Sequence, residues 1–509
     1  MTTAQVGILA AMIVYLILMM IIGIAFSKKN ETVGDFYLGG RTLGPIVTAM
    51  SAEASDMSSY LLMGLPGLAY LSGLADVGWT CIGLAAGTYL NWLLVAKRLR
   101  RYSEATGSIT LPSFFSDRYG DKRGVIMLFS AIVIIVFFVP YTASGFAACG
   151  KLFSSLFGAD YHAAMIISAV VIIFYTCSGG FLAASVTDLV QSIVMTAALL
   201  IILAFGVRTA GGMSAVIENA KTLPGYLSFT QTYDPAAGTS SSYGFITTLS
   251  TLAWGLGYFG MPHILLRFMA IRDEKELKLS RRIASVWVVN AMAIAILIGV
   301  IGLCMSHVGA IPVLEGNNSE TIIVRISSLL SQNGMFFAVV AGVVLSGILA
   351  CTMSTADSQL LAASSSVSSD ILTSFFHVDL EEKKLLTISR LSLVIIGVLG
   401  AFLAWDSDSS VFVIVSFAWA GFGACFGPMM LLALFWRRSN RWGALAGVIC
   451  GGIMVFVWKF CVRPLGGGWN IYELLPAFLV ALAVNVVVSL LTPAPEKEVT
   501  GLFDRVRAM

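Results

Sequence analysis

Two acidic residues stand in the middle of an apolar stretch of this sequence. Glu53 and Asp56 lie within SAEASDMSSYLLMGLPG (51–67), and the stretch also carries the hydroxyl residues Ser51, Ser55, Ser58 and Ser59. A carboxylate at the centre of a membrane costs about 2.5–3.5 kcal/mol, so it usually faces a cavity or a partner. The small polar run also predicts an interrupted helix, whose free carbonyls can coordinate a cation. The alternative is a kinked helix that uses its small residues for close packing.

A second polar cluster lies in a later apolar segment, SGILACTMSTADSQLLAASSSVSSD (346–370). At helical spacing Ser354, Asp357 and Ser358 share one face, because residues three and four apart are neighbours on a helix. Oxygen ligands of this kind suit an alkali cation, whereas transition metals usually recruit His or Cys. Alternatively, the serines donate hydrogen bonds to carbonyls of their own helix.

A third acid, Asp188, is predicted to open an apolar segment in SGGFLAASVTDLVQ (178–191). Gly179 and Gly180 before it favour a tight turn. An aspartate at that position either caps its helix or acts as a cation ligand, and the residues leave both roles open.

A fourth segment, WGLGYFGMPHILLRFMA (254–270), contains glycines in the spacing G-x-G-x-x-G. A dinucleotide site is excluded, because no strand precedes the motif and no βαβ unit surrounds it. The glycines instead predict a second interrupted helix. It opens onto a partly apolar pocket near three residues, namely Trp254, Tyr258 and Pro262.

The elements that carry these residues follow from composition. Of 509 residues, 58% are hydrophobic and 12% are charged, which excludes an ordinary soluble protein. Segments of about twenty apolar residues fit helices that cross a bilayer of about 30 Å, and they do not fit the short alternating strands of a barrel. We predict an all-α polytopic membrane protein with about thirteen spans, numbered in chain order: 5–27, 43–71, 76–96, 124–152, 161–181, 186–207, 243–266, 284–310, 334–366, 387–405, 410–436, 441–462 and 473–491.

The basic residues indicate how the chain crosses the membrane. With thirteen spans and the N-terminus outside, most of the 31 Lys and Arg residues fall in inner loops, among them the run from Arg267 to Arg282. This asymmetry follows the positive-inside rule and places the C-terminus in the cytoplasm. The first span lacks the features of a signal peptide, so we expect it to be retained. These features predict a multi-pass protein of a bacterial plasma membrane.

Several function classes lack their usual signatures. The net charge of +3 is small and dispersed, so nucleic acid is not an expected partner. The eight cysteines have no paired spacing, and hydrolase and P-loop motifs are absent from the sequence. We therefore predict no enzymatic activity, and uphill transport would draw on an ion gradient.

Together these segments resemble one family. The motifs DFYLGGRTLGP (35–45), 51–67, 178–191, 254–270 and MSTADSQLL (353–361) are similar to those of the sodium/solute symporters, most of all the bacterial sodium/proline symporters. The resemblance implies a LeuT-type core of two inverted five-helix repeats. It divides the chain into a first helix with a cytoplasmic loop (1–42), the first repeat (43–207), an extracellular loop (208–242), the second repeat (243–436), two accessory C-terminal helices (437–493) and a cytoplasmic tail (494–509).

The same resemblance implies two cation sites. One sodium ion would be held by backbone carbonyls and hydroxyls of spans two and nine, at Ala54, Met57, Cys351, Ser354 and Thr355. Some members of the family hold a second cation between spans six and nine. The matching positions are Asp188, Ser354, Asp357 and Ser358.

It also implies a solute site and coupling residues. The family's proline carriers place an aromatic cluster around the solute, which corresponds here to Tyr141, Trp254, Tyr258 and Pro262, with Ser58 close by. Asp56 matches a residue on which the family relies. Arg41 would serve a cytoplasmic gate, or it would act only as a basic residue that orients the neighbouring spans in the membrane.

The sequence departs from the best-known proline carriers at Glu53, Ser59, Met261 and Asp357. The extra carboxylates could pair with the substrate amine, add a cation site or carry a proton. With methionine at position 261, the sequence lacks a hydrogen-bonding group that those carriers have beside the pocket.

The expected function is sodium-coupled symport of L-proline into the cell by alternating access, for which a monomer is sufficient. Sodium is the expected co-transported ion, and the partners are a small-molecule solute and the lipid bilayer. The alternatives are sodium- or proton-coupled symport of another small amino acid or organic solute, and a transporter-like sensor.

Overall fold

The fold is given by a computed structural model that describes residues 2–27 and 32–509. Residues 1 and 28–31, which belong to the predicted segment 1–42, lie outside the described residues. The described chain is almost entirely helical. Its α-helices are α1 (Thr3–Ser27), α2 (Val33–Leu38), α3 (Pro45–Ser59), α4 (Leu65–Ser72), α5 (Leu74–Leu90), α6 (Ala96–Thr106), α7 (Leu111–Tyr119), α8 (Val125–Phe157), α9 (Tyr161–Thr209), α10 (Met213–Lys221), α11 (Phe245–Leu252), α12 (Pro262–Ala270), α13 (Leu277–His307), α14 (Ile322–Ser331), α15 (Met335–Ser365), α16 (Glu382–Leu403), α17 (Val411–Phe435), α18 (Arg441–Val457), α19 (Leu474–Leu491) and α20 (Lys497–Ala508).

Tighter and wider turns continue several of these helices. Wide π turns follow α3, α5, α15 and α18, and 3₁₀ turns include the one that continues α11. The π turns lie at Tyr60–Gly64, Asn91–Val95, Ser366–Phe375 and Trp458–Val462, and the 3₁₀ turns at Gly39–Arg41, Ala253–Phe259, Glu274–Glu276, Gly316–Thr321, Arg463–Leu465 and Gly467–Trp469.

The helices agree with the predicted spans. Within the described ranges, ten helical segments are long and apolar enough to cross a membrane. One of them, α9, has 49 residues and contains two predicted spans, because Gly180 breaks it with φ 65° and ψ −170°. Spans two and seven are the two predicted interrupted helices, so neither counts as one continuous helix. Counted in this way, the helices account for the thirteen predicted spans.

The segments with buried polar residues meet in the middle of the fold. Helix α15, which is span nine, packs against α9, α8, α3 and α1. The 3₁₀ turn after α11 packs against α5 and α17. The polar faces of spans two, six, seven and nine therefore lie within the protein and away from lipid.

Two segments outside the spans are more ordered than the sequence analysis anticipated. The predicted loop 208–242 contains α10 and a hairpin of β1 (Gln231–Asp234) and β2 (Thr239–Ser242), which pair antiparallel. The predicted tail 494–509 contains the amphipathic helix α20, whose Val499, Phe503 and Val506 are buried. Its Asp504 pairs with Arg437 at 2.9 Å, and this arginine lowers the pKa of the Asp504 carboxyl.

Candidate functional site

The first predicted interruption is confirmed at Ser58. This residue has φ 43° and ψ −171°, a left-handed φ that few residues other than glycine adopt. The Ser58 hydroxyl accepts a hydrogen bond from the backbone N–H of Tyr60 at 3.2 Å. Span two thus consists of α3 and a second limb that includes α4, with an irregular joint beside Asp56.

The second interruption lies between α11 and α12. A 3₁₀ turn spans Ala253–Phe259, and α12 begins only at Pro262. The motif glycines are needed for close packing, since a Cβ at any of them would overlap a neighbour. The neighbours are the Gly83 carbonyl for Gly255, the Trp419 indole for Gly257 and the Phe422 carbonyl for Gly260.

The Gly257→Ala substitution is expected to destabilise the protein by about 1–3 kcal/mol, the usual cost of overpacking. Its new methyl group would overlap Trp419, whose indole N–H donates to the Trp254 carbonyl at 2.8 Å. Thermal unfolding of the purified protein in detergent measures the change. The matched control is Gly244→Ala, because a methyl group at Gly244 would project into open space, with no neighbour within 4 Å. Equal stability of the two variants would contradict this packing.

The first predicted cation site is partly assembled. The Ser354 hydroxyl donates to the Ala54 carbonyl at 2.8 Å and also lies 3.2 Å from the Cys351 carbonyl. The Thr355 hydroxyl is buried and has no hydrogen-bond partner in the described part of the chain. The Met57 carbonyl accepts a hydrogen bond from the backbone N–H of Tyr60. Oxygen atoms of spans two and nine therefore converge where the resemblance places sodium.

The residues of the second predicted cation site surround a buried arginine. The Arg267 guanidinium lies 3.2 Å from an Asp188 oxygen and donates to the Ser358 hydroxyl at 2.5 Å. Ser358 donates to Asp357 at 3.0 Å, and Ser51 donates to Asp188 at 2.6 Å. Asp188 Oδ1 and Asp357 Oδ2 have no hydrogen-bond partner among the described residues. One arginine thus lies among two buried carboxyl groups and pairs directly with only one of them, Asp188.

The structure contradicts the inner-loop placement of Arg267 and the helix-cap alternative for Asp188. Arg267 is not an inner-loop charge, because it lies in α12 with its side chain 1% exposed and paired to Asp188. Asp188 does not cap a helix, because the break at Gly180 precedes it by two turns and its carboxylate contacts side chains of other helices. The position of Arg267 within the apolar stretch ILLRFMA was a usable signal, since a charge there needs a partner.

A small cavity lies between the two interruptions. Two residues of the predicted solute site, Tyr141 and Trp254, line it together with Asp56. The Tyr258 hydroxyl donates to the Asp56 carboxylate at 2.5 Å, and the Tyr141 hydroxyl lies 3.4 Å from the Asp56 carbonyl. Ser58 and Pro262 are outside the lining and instead mark the two helix breaks. The remaining lining residues are Met57, Tyr60, Leu84, Val415 and Trp419.

Aromatic rings close this cavity on one side. Trp254 stacks on Tyr472 at 4.9 Å and lies 5.6 Å from the ring of Phe412 and 5.9 Å from that of Tyr60. Trp254 also lines a second cavity, and its ring is the lining residue that the two cavities share. Sequence reasoning missed Tyr60, Phe412 and Trp419. An aromatic residue in an apolar helix carries no local signal of which way it faces.

Arg41 precedes span two and lies outside the cavity lining. Its guanidinium donates to the carbonyls of Met269, Ser103 and Ser108 and to the Ser103 hydroxyl, at 2.7–3.0 Å. These contacts join the start of span two to α6 and α12. Arg41 therefore makes specific bridging contacts between these segments.

Glu53 lies apart from the cavity. Its carboxylate accepts hydrogen bonds from the Thr88 hydroxyl at 3.0 Å and the Trp92 indole at 2.9 Å. Met261 is fully buried and is not part of the cavity wall. These two of the four departures from the family pattern, Glu53 and Met261, therefore do not line the small cavity.

Comparisons with known proteins agree with this geometry. The model of the sodium:solute symporter family matches residues 36–451. The "High-affinity proline transporter PutP" of Bacillus subtilis (strain 168) is 42% identical over 487 residues, covering 96% of this chain and 98% of the relative. The "Sodium/proline symporter" of Haemophilus influenzae is 41% identical over 499 residues, covering 97% and 96%.

A solved structure supports the fold. A Na⁺-coupled sialic acid symporter in a substrate-bound outward-open state superposes with a TM-score of 0.78 at 17% identity, covering 96% of this chain and 99% of that one. The fold is the LeuT-type inverted-repeat architecture that the sequence motifs implied.

Proposed function

The chain belongs to the sodium:solute symporter family, and we propose that it carries L-proline into the cell together with sodium by alternating access. One observation carries the proposal. Two interrupted helices meet at a cavity that offers one carboxylate, Asp56, and the rings of Tyr141 and Trp254, beside converging oxygens of spans two and nine. An apolar ring bearing an amine and a carboxylate suits such a site.

Sodium is the co-transported ion, and the site we propose for it joins the irregular joint of span two to span nine. The ligands we propose are the carbonyls of Ala54, Met57 and Cys351 and the hydroxyls of Ser354 and Thr355. An ion there would hold the joint at Ser58 in the shape that receives the solute. If bound sodium and bound proline stabilise each other by about 1–3 kcal/mol, each raises the affinity for the other by about 5–150-fold. This effect is reciprocal.

The remaining predicted residues take supporting roles. Asp56 would meet the proline amine, with Tyr258 orienting its carboxylate through their hydrogen bond. Ser58 and Pro262 set the two breaks that expose backbone groups to the solute. Asp188, Asp357 and Ser358 would hold a second cation in equilibrium with their contacts to Arg267.

The direction of transport depends on orientation. We propose that the N-terminus lies outside and the C-terminus in the cytoplasm of a multi-pass plasma-membrane protein, which places the Arg41 gate on the inside. The inverted repeats would be 43–207 and 243–436, after the segment 1–42 and joined by the extracellular loop 208–242. The helices of 437–493 and the tail 494–509 are accessory.

The test is uptake of radiolabelled proline into proteoliposomes. We expect accumulation with an inward sodium gradient and none without it, because the site offers ligands for an alkali ion. A proton gradient in sodium-free buffer is the third arm. Uptake driven by protons alone would overturn sodium coupling, and no proline uptake under any gradient would overturn the solute.

A further inference from the structure

We propose that Glu53, Thr88 and Asn91 form an additional site for a monovalent alkali cation, at the contact of spans two, three and seven. The inference deepens the proposed sodium coupling and rests on it. The site is separate from the solute cavity, whose wall includes Asp56 and excludes Glu53.

The first reason is an uncompensated carboxylate. Glu53 is 1% exposed, and both of its hydrogen-bond donors, Thr88 and Trp92, contact the same oxygen, Oε1. Oε2 has no hydrogen-bond partner, and Glu53 forms no ion pair with any residue that the structure describes. A buried charge without a partner is strongly unfavourable, so a carboxylate in this setting calls for a cation.

The second reason is a free amide oxygen on the same helix face. Asn91 is fully buried, and its amide nitrogen donates to the Tyr258 carbonyl at 2.9 Å. Its Oδ1 is left without a partner within the described ranges. Asn91 follows Thr88 by three residues, so the two side chains share one face of span three. Glu53 Oε2 and Asn91 Oδ1 are thus two buried oxygens that still lack a partner, and a cation is a ligand that would satisfy both.

The third reason is the local backbone. Span three widens into the π turn Asn91–Val95 at this point, and single π turns are frequent at functional sites. Gly87 packs directly on the backbone of Gly255, which presses span three against the irregular turn of span seven. Next to this contact, Thr88 bonds to Glu53 of span two and Asn91 bonds to the Tyr258 carbonyl of span seven.

The donor set selects the type of ion. One carboxylate, one amide oxygen and one hydroxyl carry a single negative charge, which matches a monovalent cation. All are oxygen donors, as hard alkali ions prefer, and no cluster of three His, Cys, Asp or Glu residues occurs in the described part of the chain. The adjacent residue Ala54 faces Ser354 of span nine, so the additional site is distinct from the first sodium site.

The test is equilibrium binding of ²²Na⁺ to the purified full-length protein, counted per chain. Glu53→Gln keeps the acceptor oxygen for Thr88 and Trp92 and removes the charge, so we expect the loss of one bound sodium ion per chain at saturation. Thr88→Val removes a hydroxyl while keeping the side-chain shape, and we expect about tenfold weaker binding of that ion. The matched control is Thr80→Val, because the Thr80 hydroxyl donates only to its own helix, at the Asp76 carbonyl.

The outcomes separate the two proposals. The additional site would be overturned if the unaltered protein binds sodium, Glu53→Gln binds the same number of sodium ions per chain, and Thr88→Val binds them with the same affinity. That result would leave sodium coupling intact. The same result is expected if Glu53 simply carries a proton. Absence of sodium binding in the unaltered protein would overturn sodium coupling itself. Should Glu53→Gln fail to fold, Thr88→Val decides the question alone.

Discussion

Replacing Arg267 by glutamine is expected to destabilise the folded protein by about 3–5 kcal/mol, the usual result of removing one partner of a buried ion pair. Arg267 and Asp188 have side chains 1% and 0% exposed, and their charged groups lie 3.2 Å apart. Glutamine would leave Asp188 charged without a cation and would withdraw the donor to Ser358. Most of the cost arises from the carboxylate that remains.

Thermal unfolding in detergent measures this effect, and a second substitution tests its cause. Adding Asp188→Asn to Arg267→Gln removes the unpaired charge of the Asp188 carboxylate. The double variant is therefore expected to recover more than half of the lost stability. The control is Arg272→Gln, because Arg272 forms an exposed pair with Glu276 and such pairs contribute little. If Arg267→Gln is as stable as Arg272→Gln, the buried pair is not what holds spans six and seven together.

Ser354→Ala and Thr355→Ala are each expected to raise the sodium concentration for half-maximal proline uptake by about tenfold or more. Interactions of a hydroxyl with a charged group contribute about 1.5–3 kcal/mol, and 1.4 kcal/mol corresponds to a factor of ten. Ser354 is already directed at the Ala54 carbonyl, and the buried Thr355 hydroxyl has no partner among the residues described. Both hydroxyls are therefore placed to serve the ion.

The matched control for this pair is Ser346→Ala. Ser346 lies on the same helix and is equally buried, but its hydroxyl donates to the Gly342 carbonyl of its own helix. Uptake in proteoliposomes at graded sodium concentrations separates the variants. Unchanged sodium dependence in both Ser354→Ala and Thr355→Ala would remove the site assignment.

The class of protein and the places where its helices break were predictable from the sequence. A bilayer requires long apolar segments, and acidic or small residues within them stand out against that background. For that reason 51–67 and 254–270 could be identified as interrupted helices before any contact was known. Glycine spacing alone could not reveal that Gly257 accommodates an indole ring of span eleven.

The partners of these residues were decided only by the tertiary structure. Asp188 meets Arg267 across 79 positions of the chain, and Trp419 bonds to the Trp254 carbonyl across 165. The side chain that faces a buried charge depends on how the helices pack, and a pattern along one helix cannot specify it. Polarity within a membrane segment therefore marked the residues that need a partner, whereas packing determined whether that partner is an arginine, an aromatic ring or an ion.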